Sequence, residues 1–224
     1  MTSLFPVILA LALAAPSIQE LPSHGGLLVA APHGGFDLHS DEIARRVALL
    51  AGGGYLLATG FRTREHPLNV NRPTEGAGLP ADQEAHTPAA AAVWAVWRAK
   101  VATQLPRLYV EIHGNSRKAS EHRIEVATVG IDAARAVRLR ADFALRLRGL
   151  APAAPRLQWA IEPLEPLHYT AMGAKQWGAL GMVPRALHLE IPFAIRTDPR
   201  LRGRYADCIA STVAALMREL DAEP

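Results

Sequence analysis

The chain has 224 residues, half of them hydrophobic and a fifth charged, which suits one α/β domain with a substantial core and excludes a disordered chain. Its net charge is +3, and its 24 lysines and arginines are scattered without a dense basic run carrying interleaved aromatics, so nucleic-acid binding has little support. Cys208 is the only cysteine, which excludes an internal disulfide and a cysteine-rich metal site and leaves a packed core position as its expected role.

Residues 1–15 are apolar apart from Thr2 and Ser3, and the run closes on Ala12-Leu13-Ala14-Ala15-Pro16. This reads as the apolar core of an export signal with a small-residue cleavage site, although the usual basic start is missing. We therefore expect residues 1–20 to be a signal peptide and residues 21–224 to be a single domain, periplasmic or secreted. The other reading is a buried first helix in a cytoplasmic protein. The stretch is too short for a stable membrane span, and no later segment qualifies.

Strands are predicted at 27–31, 55–59, 107–112, 123–129, 157–161 and 186–191. Helices are predicted at 41–50 (Ser40 as N-cap, Gly52-Gly53-Gly54 as stop), 82–104 with an interruption near Pro88, 132–150 and 199–221. Two long polar loops, 60–81 and 162–181, stand between them, and loops of that length in a compact domain are usually functional. Strands alternating with helices predict a largely parallel sheet covered on both faces, with its site at the carboxyl ends of the strands.

Three strand ends carry chemistry. Pro32-His33-Gly34-Gly35-Phe36-Asp37 follows the first strand, Glu111-Ile112-His113-Gly114-Asn115-Ser116 ends the third, and Leu187-His188-Leu189-Glu190-Ile191-Pro192 is the sixth. His33, Asp37 and His113 form a set of two imidazoles and a carboxylate, which suits a zinc ion that keeps one position for water. Zinc lowers the pKa of a bound water from about 16 to about 7. The glycines after both histidines are read as clearing space near the ion. Strand alternation puts His188 and Glu190 on one face and Leu187, Leu189 and Ile191 on the other. A carboxylate inside an apolar strand is costly unless paired or functional, so Glu190 is the candidate general base. The first loop carries Arg62, Arg64, His66, Asn69, Asn71, Arg72 and Glu75, and an arginine beside an asparagine is equipped to grip a carboxylate.

Taken together these segments resemble the zinc carboxypeptidase-like superfamily, nearest to its N-formylglutamate amidohydrolase and poly-γ-glutamate hydrolase branches. The Pro32-His33-Gly34-Gly35 motif followed by an acid is similar to a first metal motif. Glu111 to Ser116 resembles the third-ligand strand, Asn71-Arg72-Pro73 the carboxylate-binding pair, and Leu189-Glu190-Ile191-Pro192 the strand of the catalytic glutamate. Tyr169-Thr170-Ala171-Met172-Gly173, followed by Trp177, resembles the mobile tyrosine loop. The motifs run in the family's order from residue 29 to residue 196.

The resemblance implies a three-layer sandwich with a mixed, mainly parallel sheet. It also implies a zinc-dependent amidohydrolase acting on a carboxylate-bearing substrate: an N-acyl amino acid, a peptide end or a γ-glutamyl polymer. In that reading His33, Asp37 and His113 hold zinc, and Glu190 is the base. Tyr169 caps the substrate, Arg62 or Arg64 stabilises the oxyanion, and Asn71, Arg72 and Arg64 bind substrate. Carboxypeptidases use His-x-x-Glu for the first two ligands; here Asp37 lies four residues after His33, and Glu42 is the fallback. The alternative function is a non-catalytic secreted metal- or ligand-binding domain. A serine hydrolase is disfavoured because Ser116 lacks the Gly-x-Ser-x-Gly elbow.

Overall fold

The computed structural model describes residues 15–149 and 156–223. In chain order its elements are β1 (Ser17–Leu21), β2 (Leu27–Gly34), α1 (Ser40–Ala51), β3 (Gly54–Thr59), β4 (Thr74–Glu75), β5 (Ala85–His86), α2 (Pro88–Gln104), β6 (Leu108–Asn115), β7 (Arg123–Val129), α3 (Ala133–Leu147), β8 (Gln158–Ile161), α4 (Met172–Gln176), β9 (Ala186–Pro192), α5 (Phe193–Thr197) and α6 (Pro199–Asp221).

Seven strands form one sheet in the order β1-β3-β2-β6-β9-β7-β8. β3, β2, β6 and β9 run parallel to one another, β7 lies antiparallel to β9, β8 is parallel to β7, and β1 closes the other edge antiparallel to β3. The sheet is thus mixed and mainly parallel.

The two-residue period of a strand sorts the layers. Leu27, Val29 and Ala31 of β2, Val110 and Ile112 of β6, Ile124 and Val126 of β7, and Leu187, Leu189 and Ile191 of β9 pack in one core with Ile43 and Val47 of α1, Phe143 of α3 and Ile209 and Val213 of α6. The alternate residues face the other way. Leu28 and Ala30 of β2, Leu56 of β3 and Tyr109 of β6 pack against Trp97 and Val101 of α2 in a second, smaller core. That second face also receives the polar members of β6, β7 and β9, which is why the site lies on it.

The helix ends follow local chemistry, with two departures from expectation. α1 stops at Gly52, whose φ of 74° and N–H bond to the Ala48 carbonyl make a left-handed cap. Ser40, expected as its N-cap, is the first helical residue instead. His39 precedes it at φ 66°, and the His39 Nδ1 lies 2.7 Å from Glu42 Oε1. The helix expected over 82–104 begins at Pro88, because proline suits the first helical turn and the Thr87 hydroxyl accepts from the Ala90 N–H. Ahead of it, Ala81–Gln83 is a 3-10 turn, and β5 pairs with β4 in a short ribbon.

β1 was not anticipated. Its residues are half-buried or exposed and show no apolar alternation, so periodicity gave no signal. It is held by backbone pairing from Ser17↔Thr59 to Leu21↔Tyr55. The signal-peptide boundary expected after residue 20 falls inside this strand, and the rest of that prediction, residues 1–14, lies outside the described residues. No helix among the described residues is long and apolar enough to cross a membrane.

Candidate metal centre and cleft

Strand register assembles the site. β6 and β9 are parallel neighbours with Glu111 opposite His188 and His113 opposite Glu190. β7, on the far side of β9, puts Glu125 opposite Glu190. Two adjacent rows of polar side chains therefore cross the second face. β2 adds His33 at its carboxyl end, with Asp37 in the turn that follows, where the Asp37 N–H bonds to the His33 carbonyl at 2.8 Å. A cleft of about 380 Å³ opens over them, lined by His33, Asp37, His113, His188 and Glu190 on one side and Arg62, Asn71, Arg72 and Tyr169 on the other.

His33, Asp37 and His113 are all buried and offer ligand atoms within 4.8 Å of one another. His33 Nδ1 is 3.5 Å from Asp37 Oδ2, and His113 Nδ1 is 3.1 Å from the same oxygen. The far nitrogen of each ring meets a buried acceptor: His33 Nε2 lies 3.0 Å from Asn69 Oδ1, and His113 Nε2 lies 3.2 Å from Glu111 Oε2. Hydrogen on each Nε2 satisfies those acceptors and leaves both Nδ1 lone pairs aimed at one point beside Asp37. That is the arrangement by which outer groups orient metal-binding histidines. The donor set therefore fits a divalent ion such as zinc.

A second cluster, Glu111, His113 and His188, also has its ligand atoms close together. Glu111 is fully buried, does not line the cleft, and is saturated with partners. Asn71 Nδ2 donates to it at 3.2 Å and Tyr109 Oη at 2.9 Å, and His113 and His188 meet it at 3.2 and 3.0 Å. This cluster serves as the support behind the first. His188 continues the chain of contacts, stacking on His113 with ring centroids 4.2 Å apart and placing Nε2 3.2 Å from Glu190 Oε1.

Without an ion, protons rather than a metal stand where the Nδ1 atoms meet Asp37, and the electrostatics are those of that state. Burial alone would raise the Asp37 carboxyl, but hydrogen bonds from His113 and His33 outweigh it and hold the acid well below the usual carboxylate range. Glu111 behaves the same way under His113 and His188. Burial pulls His113 down, yet Asp37 and Glu111 on either side push it up to about 10. His33 moves down, because burial dominates and the contact to Asp37 is longer.

The opposite wall is basic. Arg62 Nη2 and Arg72 Nη2 meet Glu84 Oε1 at 3.0 and 2.8 Å, and the Arg62 guanidinium lies over the Phe36 ring at 4.4 Å. Asn71 spends an amide hydrogen on Glu111, so it supports the metal set as well as lining the cleft. Tyr169 hangs from a loop pinned by Glu125: the Glu125 Oε2 accepts the His168 and Tyr169 N–H groups, each at 2.8 Å, and Ser120 and Arg123 donate to its other oxygen.

Two expectations are corrected by position. Arg64 is exposed and is not among the cleft-lining residues, because the loop's turn at Arg62 (φ 57°) brings Arg62, not Arg64, inward. Glu42, the fallback ligand, bonds to His39 and Arg202 on α1's exposed side, and Asp37 occupies the place between the imidazoles. Gly114 lines the cleft, and both glycines also answer to the packing around them. A Cβ on Gly114 would stand 2.2 Å from the guanidinium carbon of Arg196, and one on Gly34 would stand 2.8 Å from the Asp41 Cβ. They make room for the protein's own packing. Arg196 is itself buried, donating to the Ile191 and Leu38 carbonyls and so tying the end of β9 to the loop after Asp37.

Sequence reasoning passed over Glu84, Glu111, Glu125, His188 and Arg196. Only Glu111 and His188 carried a usable signal: each stands two residues before an assigned partner, and so shares its face.

No protein-family model matches the sequence, and no curated protein sequence is matched by it. Solved structures do match. One is a bacteriophage poly-γ-glutamate hydrolase, 17% identical, covering 90% of this chain and 89% of that one with a TM-score of 0.56. Another is a gene product of Agrobacterium tumefaciens, 12% identical, covering 89% of this chain and 94% of that one with a TM-score of 0.55. At such identities the likeness is one of architecture alone: the chain shares the fold of these structures, a mixed, mainly parallel sheet flanked by helices.

Proposed function

We propose that this chain is a zinc-dependent amidohydrolase that cleaves an amide in a carboxylate-bearing substrate. The observation that carries this reading is the convergence of two Nδ1 atoms on Asp37, each ring fixed from behind, in a cleft that Glu190 also lines. A zinc ion there would acidify a water and polarise the scissile carbonyl.

The chain's own groups do the rest. Glu190 takes the proton from the attacking water and returns it to the leaving amine. His188 prepares it for that task. Glu111 is an acceptor with no hydrogen to give, so the hydrogen of a neutral His188 belongs on Nδ1, leaving the Nε2 lone pair facing Glu190 Oε1. That lone pair accepts a hydrogen bond from Glu190 once Glu190 is protonated. Arg62, nearest the metal set on the basic wall, stabilises the oxyanion. Arg72, with the remaining hydrogen of Asn71, holds the substrate carboxylate. Tyr169 closes over the substrate. A γ-glutamyl amide is among the candidate substrates, supported by the shared fold of the phage hydrolase.

Glu190→Gln is the test. Turnover of N-formyl-L-glutamate, peptides or poly-γ-glutamate should fall by about 10²–10⁴-fold, while zinc content by metal analysis stays at one ion per chain. Undiminished turnover in that variant removes Glu190 as base. Absence of chelator-sensitive turnover by the unaltered chain on every such substrate favours a binding domain instead.

A further inference from the structure

Glu84 has no part in the metal set, yet it is the anchor of the basic wall. Its side chain is 1% exposed. Oε1 receives both Arg62 and Arg72, Oε2 receives the Thr74 hydroxyl at 2.5 Å, and Asn69 Nδ2 approaches it at 3.5 Å. Because Glu84 only accepts, the Asn69 amide nitrogen belongs on its side and the carbonyl oxygen on the side of His33 Nε2 and the Asn71 N–H. One buried carboxylate thus links the arginine pair to the metal-ligand shell.

We infer that Glu84 is a specificity-determining residue that holds Arg62 and Arg72 in place and cancels half of their charge, so that this end of the cleft favours substrates presenting one carboxylate over those presenting two. The inference rests on the reading that Arg72 receives a substrate carboxylate. Two guanidiniums against one acid leave a single net positive charge, and Asp37, the next acid along, is already engaged by His33 and His113. Donors remain for one anionic group. Arg72 commits Nη2 to Glu84, and its Nη1 lies beside Gly173, 3.3 Å from where a Cβ would stand. Both arginines are long and rotamer-rich, and fixing them before substrate arrives removes an ordering cost from binding.

The experiment is calorimetric titration of N-acetylglycine, with one carboxylate, and N-acetyl-L-aspartate, with two, into the zinc-loaded full chain carrying Glu190→Gln to prevent turnover. Adding Glu84→Gln should shift the affinity ratio of the two probes toward the dicarboxylate by about tenfold, the order expected for one unit charge at partly buried distances. An unchanged ratio in a folded variant overturns the inference. Should Glu84→Gln fail to fold by circular dichroism, Arg62→Met on the loop gives the opposite reading. It removes a positive charge, and the ratio should move toward the monocarboxylate; no movement overturns the inference equally. Arg72→Ala tests the underlying reading by itself. Loss of binding of both probes supports it, and binding indifferent to Arg72 removes the carboxylate site and the role of Glu84 with it.

Discussion

At the scale of single residues the site depends on carboxylates placed behind the imidazoles. Glu111 takes hydrogen bonds from four side chains while fully buried, and hydrogen bonds to a charged group contribute about 1.5–3 kcal/mol each. Glu111→Gln keeps the volume but turns an amide toward rings that need acceptors. We expect zinc affinity to drop about 10–100-fold, as for other outer-shell partners, measured by competition with a chromophoric chelator. An unchanged affinity would mean that the rings are oriented by packing alone. His33, His113 and Glu190 were legible in the sequence because each breaks an apolar strand at its end. Glu111 was not, since its meaning lies in being opposite His188, a fact of register that no single strand contains.

Element boundaries were legible where a residue type dictates conformation and obscure where tertiary contact does. The helix over Pro199–Asp221 and the strand over Arg123–Val129 match their expected spans, the first set by Asp198 and Pro199, the second by apolar alternation. β1 and the β4–β5 ribbon are held by pairing rather than by composition and could not be read. The ribbon matters because Thr74 and Glu84 lie in and beside it. Thr87 fastens it: its hydroxyl caps α2 and donates to Glu75 Oε2 at 3.0 Å. Thr87→Ala should cost about 1 kcal/mol, the usual value of a lost N-cap. The corresponding fall in melting temperature is about 2–4 °C for a chain of this size. Zinc affinity should be unaffected, since no metal-set contact passes through Thr87.

For the whole molecule the alternation of helices and strands announced a covered, mainly parallel sheet, but the strand order was not recoverable. Nothing in β7 says that it lies antiparallel beyond β9, yet this placement brings Glu125 under the Tyr169 loop. It also gives an acid-sensitive contact. Burial raises Glu125, but the Tyr169 N–H, Ser120 and Arg123 outweigh it and hold its carboxyl below the ordinary value of 4.5. A depressed folded-state pKa contributes stability that is present above 4.5 and is lost as pH falls through the folded value. Glu125→Gln should therefore melt lower than the parent at pH 7, and the gap should narrow as pH is lowered below 4.5. A constant gap across that range would show the carboxylate's charge to be irrelevant to the loop.

The polar rows across the sheet have one more consequence. Each of the six ring nitrogens of His33, His113 and His188 looks at an oxygen, while three uncharged rings own three hydrogens among them and the rise of His113 to about 10 adds only a fourth. The interior is thus built short of positive charge. On the function proposed above, a divalent ion between the two Nδ1 atoms and Asp37 would make up that shortfall at the point where it is deepest, before any substrate arrives.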